Sequence, residues 1–178
     1  MQTHERIYIL ILPSEYGIVA ITAPCHGANR GSIPLTRSIS YLFMDVSLAA
    51  ICDAANADSQ GKLNLLGVFD QINVVNFPAK HPQCCVVFRV VFQKGQSTEQ
   101  NFVIKFLNKD GESFLPSIKA TSSSKCIKFQ DKSVLNLIIN VKNIKLTRAD
   151  NFQVELHVND ELLKGVDLRI RQSVPTDR

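Results

Sequence analysis

The chain has 178 residues, of which 45% are apolar and 20% are charged, with five cysteines and no tryptophan. This composition is typical of a globular protein with a single main core, and it excludes a disordered chain. No apolar run reaches the roughly 20 residues that a membrane-spanning helix needs. The net charge of +4 is small for a protein whose main task is to neutralise phosphates.

Residues 1–43 differ from the rest, because two short apolar runs precede a stretch rich in Gly, Pro and Ser. One interpretation is a hairpin added to the main sheet, with its turn at Ser14-Glu15-Tyr16-Gly17. The other, which we favour, is that Met44 is the natural first residue and that residues 1–43 are a non-native extension. We expect a β-sandwich domain over residues 44–172 and a C-terminal tail over residues 173–178.

From Met44 onward, short apolar stretches alternate with polar residues and end at clusters of Gly, Asn, Asp and Pro, which predicts β-strands. A hairpin turn is expected at Asn108-Lys109-Asp110-Gly111, and only Ala49–Ala55 could compete as a short helical turn. The sequence therefore predicts an all-β fold, an antiparallel β-sandwich of about seven or eight strands, immunoglobulin-like or similar, with little helix. The clearest strand segments are 45–52, 63–75, 84–92, 101–107, 134–141, 152–158 and 162–170.

The cysteines are odd in number and include no Cys-x-x-Cys pair, so neither a disulfide framework nor a zinc site is expected. Cys52, Cys84 and Cys85 lie inside apolar runs, where a free thiol packs as a small hydrophobe. The spacing from His81 to Cys84 and Cys85 does not suit a metal site, because adjacent residues of a strand point to opposite faces. The sequence therefore predicts no metal, no cofactor and a cytoplasmic location.

Seven basic residues and one acid, Asp131, lie between positions 119 and 148, so this basic stretch has a local net charge of +6. Lysines of this kind discourage the edges of sheets from pairing. A second hypothesis is a binding site for an anionic ligand or nucleic acid, although phosphate recognition favours arginine and interleaved aromatic residues. The basic residues are Lys119, Lys125, Lys128, Lys132, Lys142, Lys145 and Arg148.

Three motifs carry a resemblance to a known family: Ile51-Cys52-Asp53-Ala54-Ala55, the segment GKLNLLGVFD over 61–70, and Phe77-Pro78-Ala79-Lys80-His81-Pro82. From about Met44 onward, the chain resembles a bacterial family of small single-domain proteins catalogued as a domain of unknown function. The resemblance implies a β-sandwich and a start near Met44, and it implies no activity. The candidate site residues in these motifs are Asp53, Asn64, Gly67, Asp70 and His81.

Three hypotheses for function follow. The first, which we favour, is a non-catalytic module that binds another protein through loops or an exposed sheet edge, and it leaves association of identical chains through such an edge open. The second is binding of an anionic ligand or nucleic acid through the basic stretch. The third is a hydrolase-type enzyme that uses Asp53, Asp70 and His81 for acid–base chemistry, although an aspartate at a strand end is commonly a turn acceptor. The expected partner is therefore a protein, not nucleic acid or a membrane, and no catalytic residue is assigned.

Overall fold

A computed structural model describes residues 19–21, 44–93, 99–123 and 132–173. These residues form ten β-strands. None of them forms a helix of the length and hydropathy that crossing a membrane requires. The strands are β1 (Val19–Ile21), β2 (Met44–Ala57), β3 (Leu63–Phe69), β4 (Gln71–Val74), β5 (Ala79–Gln93), β6 (Glu99–Asn108), β7 (Ser113–Ser123), β8 (Lys132–Leu146), β9 (Asp150–Val158) and β10 (Glu161–Gln172).

The strands form two sheets of five, so the predicted all-β sandwich is confirmed. The first sheet has the order β1-β8-β5-β2-β3, and the second has the order β4-β10-β9-β6-β7. Within the described ranges every pairing is antiparallel except that of β4 with β10. The helical turn considered for Ala49–Ala55 is wrong, because these residues belong to the 14-residue strand β2.

Residues 1–43 contribute one described segment to the first sheet. Val19–Ile21 pairs antiparallel with β8, with Ala20 opposite Ile139. The hairpin turn expected at Ser14-Glu15-Tyr16-Gly17 lies outside the described residues. The two interpretations of residues 1–43 therefore stay predictions.

The single strand expected over residues 63–75 is divided at Asp70. β3 ends at Phe69 in the first sheet and β4 begins at Gln71 in the second, so the chain changes sheets at this residue. The backbone carbonyl of Asp70 accepts a hydrogen bond from the N–H of Arg169 at 2.8 Å, and the two side chains form an ion pair. Because alternation of side chains continues through a change of sheet, the sequence pattern gives no sign of it.

The main core lies between the two sheets, and a smaller cluster lies on the outer face of the first sheet. In β5, Val86 and Phe88 face the main core, whereas Cys85 and Val87 face outward. The near-continuous apolar sequence of this strand predicts burial on both faces, and the structure confirms it. The outer cluster consists of the buried residues Cys52, Cys85, Val87 and Ile138.

Candidate functional site

The outer cluster is covered by the β2–β3 hairpin, whose tip folds back across the first sheet. Gly61, at this tip, is buried and has a φ of 73°. Its carbonyl accepts hydrogen bonds from Asn136 Nδ2 at 3.0 Å and from Arg89 Nη1 at 3.3 Å. Asn136 lies on β8, two strands away from β2, and the half-buried Leu63 and Leu65 pack against the cluster. The β2–β3 hairpin, which contains part of the family-like motif over residues 61–70, is therefore hydrogen-bonded across the outer face of the first sheet.

Asp58 closes the tip of the same hairpin. Its Oδ1 accepts hydrogen bonds from the backbone N–H of Gln60 at 2.8 Å and of Lys62 at 2.9 Å. Its own N–H donates to the carbonyl of Lys62, and its carbonyl accepts from the N–H of Gly61, each at 3.0 Å. An aspartate that satisfies neighbouring backbone donors favours a tight turn. These hydrogen bonds define the turn that carries Gly61 to its contact with Asn136.

Gly67 allows β2 and β3 to approach closely at Asp53. The φ of Gly67 is +63°, and a Cβ added there would lie 2.1 Å from Oδ2 of Asp53. The carboxylate therefore occupies the space that a side chain at position 67 would need. The register is the same on both sides, since Ala54 pairs with Leu66 and Cys52 with Val68. These two candidate residues are brought together by packing.

His81 occupies a mostly apolar position at the start of β5. Its ring meets the ring of Phe69 edge-on, with centroids 6.0 Å apart, and its Nε2 is buried without a hydrogen-bond partner among the described residues. Burial lowers the pKa of His81, while a hydrogen bond to the Gln83 backbone and the charge of Asp53 oppose this shift. The neutral imidazole is therefore the favoured form in the folded protein.

The described contacts do not join the three residues of the hydrolase hypothesis into one hydrogen-bonded group. Asp53 lies against Gly67 and acts on His81 through its charge, whereas the Asp70 carboxylate contacts Arg169. A shallow cavity between Met44, Val158 and Leu162 has none of the three candidate residues in its lining. The hydrolase hypothesis stays a prediction.

The buried thiols are held in their unreactive form. Burial raises the pKa of Cys84 and of Cys85 to about 12, and it also raises the pKa of Cys52. The Cys52 thiol donates to the carbonyls of Ala54 at 3.3 Å and of Cys85 at 3.6 Å. Because the thiolate is the nucleophile and the metal ligand, these groups suit packing. Among the described residues, no cluster of three or more His, Cys, Asp or Glu is placed to hold a metal ion.

The basic stretch is divided between the two sheets where it is described. Lys119 is exposed on β7, whereas Lys142 and Lys145 are exposed on β8. Lys145 lies opposite Lys80 on β5, and Arg148 forms an ion pair with Asp150 at 3.1 Å. Lys125 and Lys128, and the side chain of Lys132, lie outside the described part. Binding of an anionic ligand by this stretch stays a prediction.

A buried polar pair on β9 is absent from the sequence-based candidates. His157 Nε2 lies 2.7 Å from Glu155 Oε2, and both side chains are largely buried on the same face of the strand. The Glu-x-His spacing places two residues on one face of a strand, which is the signal that could have found them. The burial of His157 and Glu155 indicates that this pair is a structural contact within the second sheet.

Among the described residues, β3 is the free edge of the first sheet, and its Leu66 points away from the outer cluster. Leu66 is 69% exposed, and Asn64 lies on the same face, where its Nδ2 donates to Oδ1 of Asn56. Val68 is 61% exposed and lies beyond Gly67, on the face of its partner Cys52. Between Leu63 and Phe69 the strand contains neither proline nor a charged residue. This edge strand therefore lacks two common features that prevent another strand from pairing with it, a proline and a charged side chain.

The opposite edge of the sandwich, β7 in the second sheet, is protected. It contains Pro116, which has no backbone donor, and the exposed Lys119. Two irregularities interrupt its pairing with β6 near Phe106, and such bulges twist an edge away from a new strand. The edge strand β4 has only four residues. Among the edges with described side chains, β3 is therefore the one suited to accepting a strand.

Comparisons with known proteins identify a family and show a distant likeness to solved structures. A family model described as a family of unknown function, DUF6941, matches residues 47–171. Among solved structures, the chain is similar to Pseudomonas fluorescens alkylpurine DNA glycosylase AlkC bound to DNA containing an abasic site analog, with 10% identity and a TM-score of 0.37. That match covers 72% of this chain and 30% of the glycosylase chain, so this chain spans under a third of its length. No curated protein matches the sequence.

Proposed function

The chain belongs to the family of unknown function DUF6941, which confirms the resemblance in its motifs, and on this premise we propose that it is a non-catalytic module that binds another protein. Its binding surface is the free edge of β3, to which an extended segment of the partner adds as a further strand. The observation that carries this proposal is the exposure of Leu66 and Val68 on an edge strand that contains neither a proline nor a charged residue.

In strand addition, the backbone provides affinity and the side chains provide selectivity. The unpaired backbone groups of an edge strand provide hydrogen bonds that do not depend on the partner's sequence. Side chains on one face of the strand then select the partner, and on β3 these are Asn64 and Leu66. We expect the partner segment to present an apolar residue opposite Leu66, because it would cover this exposed side chain.

The thiol and imidazole side chains of β5 favour binding over catalysis. The thiols of Cys84 and Cys85 stay protonated at neutral pH, since burial raises their pKa to about 12. His81 packs against Phe69 in its neutral form. Buried free thiols suit a reducing compartment, and the resemblance is to a bacterial family, so we place the protein in the bacterial cytoplasm.

A photo-crosslinking residue at Val68 tests the binding surface, with the same residue at Lys119 on the protected edge as the matched control. In cells of the source organism, we expect one dominant crosslinked protein from position 68 and none from position 119. Adding Leu66→Lys should abolish that product, because a charge at the edge opposes strand addition. Equal products from both positions, or none from position 68, would contradict the proposal.

A further inference from the structure

Strand addition at β3 needs a partner, and we infer that a second copy of this chain occupies the edge, paired antiparallel with β3 about a twofold axis at Leu66. This inference rests on the proposed function and names its partner. The two first sheets, each of five strands, would then join into one continuous sheet. A twofold contact uses the same patch on both copies and closes after two chains, so it leaves no further β3 edge free.

Hydrogen-bonded and non-hydrogen-bonded pairs alternate along the β2–β3 hairpin, and this alternation determines which backbone groups of β3 face its free edge. The N–H of Asp58 donates to the carbonyl of Lys62 at 3.0 Å, so this pair begins the hydrogen-bonded ladder between β2 and β3. In an antiparallel ladder, hydrogen-bonded pairs alternate with pairs that are not hydrogen-bonded. Leu63 and Leu65 therefore direct their N–H and C=O groups to the free edge. In an antiparallel pair of β3 strands, residues whose backbone groups point to the free edge must lie opposite one another. These residues are every second one along β3, so the twofold axis must pass through a residue and not between two residues.

An axis at Leu66 also matches the exposed side chains. Leu66 then lies opposite Leu66 of the second copy, and Val68 lies opposite Asn64. The Leu66 pair is not hydrogen-bonded, and side chains approach most closely at such pairs, with Cα atoms about 4.5 Å apart. The most exposed large apolar side chain of the described residues thus meets its own copy at the centre of the contact.

The charges that flank the strand select the same register. Lys62 precedes β3 and Asp70 follows it, each four positions from Leu66, so each lysine lies opposite the other copy's aspartate. Lys62 is exposed, and the Asp70 side chain is 66% exposed even though it contacts Arg169. An axis at Leu65 would instead place Lys62 opposite Val68, and an axis at Gly67 would place Asp70 opposite Asn64. Opposite charges directly across a pair stabilise it.

The mass of the full chain in solution tests the association. Light scattering should give twice the 19.8 kDa monomer mass at high concentration and fall toward the monomer on dilution. Leu66→Lys places two lysines face to face on the axis, so we expect at least a tenfold weaker association, while the melting temperature at concentrations where both proteins are monomeric should be unchanged. Lys119→Glu on β7 is the control and should leave the association unchanged. A monomer at several hundred micromolar, or a dimer that Leu66→Lys leaves intact, would overturn the inference.

Disulfide mapping tests the register. In a Cys25→Ser, Cys126→Ser background, Leu66→Cys should form a disulfide-linked dimer under mild oxidation, because opposed Cα atoms lie within bridging range. Val68→Cys alone should not link to itself, whereas a mixture of Val68→Cys and Asn64→Cys should link. A stronger self-link at Val68 would contradict the register. If the chain is monomeric while position 68 still captures a different protein, only the inference fails and the proposed function stands.

Discussion

The main core and the outer cluster differ in the elements that shield them from solvent. The main core is enclosed between two five-stranded sheets, whereas the outer cluster is covered by one hairpin. The tip of that hairpin is attached through the carbonyl of Gly61, which accepts from Asn136 and Arg89. A cover held by a few polar contacts opens locally at lower free energy than a core strand. The proposed binding edge therefore belongs to the more locally adjustable of the two regions.

Gly67→Ala should have the largest effect on the hairpin. The new Cβ would meet Oδ2 of Asp53 at 2.1 Å, and alanine is strained at a φ of +63°. We expect the free energy of unfolding to fall by about 2–4 kcal/mol, from backbone strain and overpacking together. Urea denaturation followed by fluorescence or circular dichroism measures this change.

Asp53→Ala provides the control for Gly67→Ala. In the double variant the carboxylate is gone, so only the backbone strain at position 67 should remain. The double variant should therefore be more stable than the sum of the two single changes predicts, and a double-mutant cycle measures the coupling. Additive effects would show that Asp53 does not occupy the space beside Gly67.

Matched substitutions on β5 compare the two clusters directly. Val86 and Val87 are adjacent and equally buried, but Val86 faces the main core and Val87 faces the outer cluster. Val86→Ala should lower the free energy of unfolding by about 2–3 kcal/mol, and Val87→Ala by about 1–2 kcal/mol, because the cost depends on how far the site can collapse. Hydrogen exchange should show that Val87→Ala accelerates exchange in β3 first. Equal losses would show that the cover is as rigid as the sheets.

Much of the fold could be predicted from the sequence because it depends on local patterns. The alternation of apolar residues indicates the strands, and the Asn108 turn forms as expected, with its Oδ1 accepting from the N–H groups of Asp110 and Glu112. The missed features depend on distant contacts. Gly61 meets Asn136 across 75 positions of sequence, and nothing near Gly61 indicates that contact.

The candidate site shows the same division. The motif over residues 61–70 was identified, but alternation alone does not tell which face of a strand is buried. The sequence therefore does not distinguish the exposed Leu66 from the half-buried Leu63 and Leu65. The fold of the hairpin over the outer cluster decides this, because it covers one face of β3 and exposes the other.

The smallest expected effect is the pH dependence that His81 gives to the free energy of unfolding. Burial lowers the pKa of His81 from the usual 6.5. As the pH falls, His81 therefore binds a proton at a higher pH in the unfolded chain than in the folded chain. The stability from the neutral ring is therefore complete above about pH 6.5 and is lost as the pH falls toward the folded pKa. One proton limits the slope to about 1.4 kcal/mol per pH unit. His81→Phe keeps a ring beside Phe69, so it should reduce this slope without destabilising the protein at pH 7.5, as urea denaturation from pH 7.5 to pH 5 measures. An unchanged slope would show that other groups carry the acid sensitivity and that the surroundings of His81 beside Phe69 tolerate a charged imidazole.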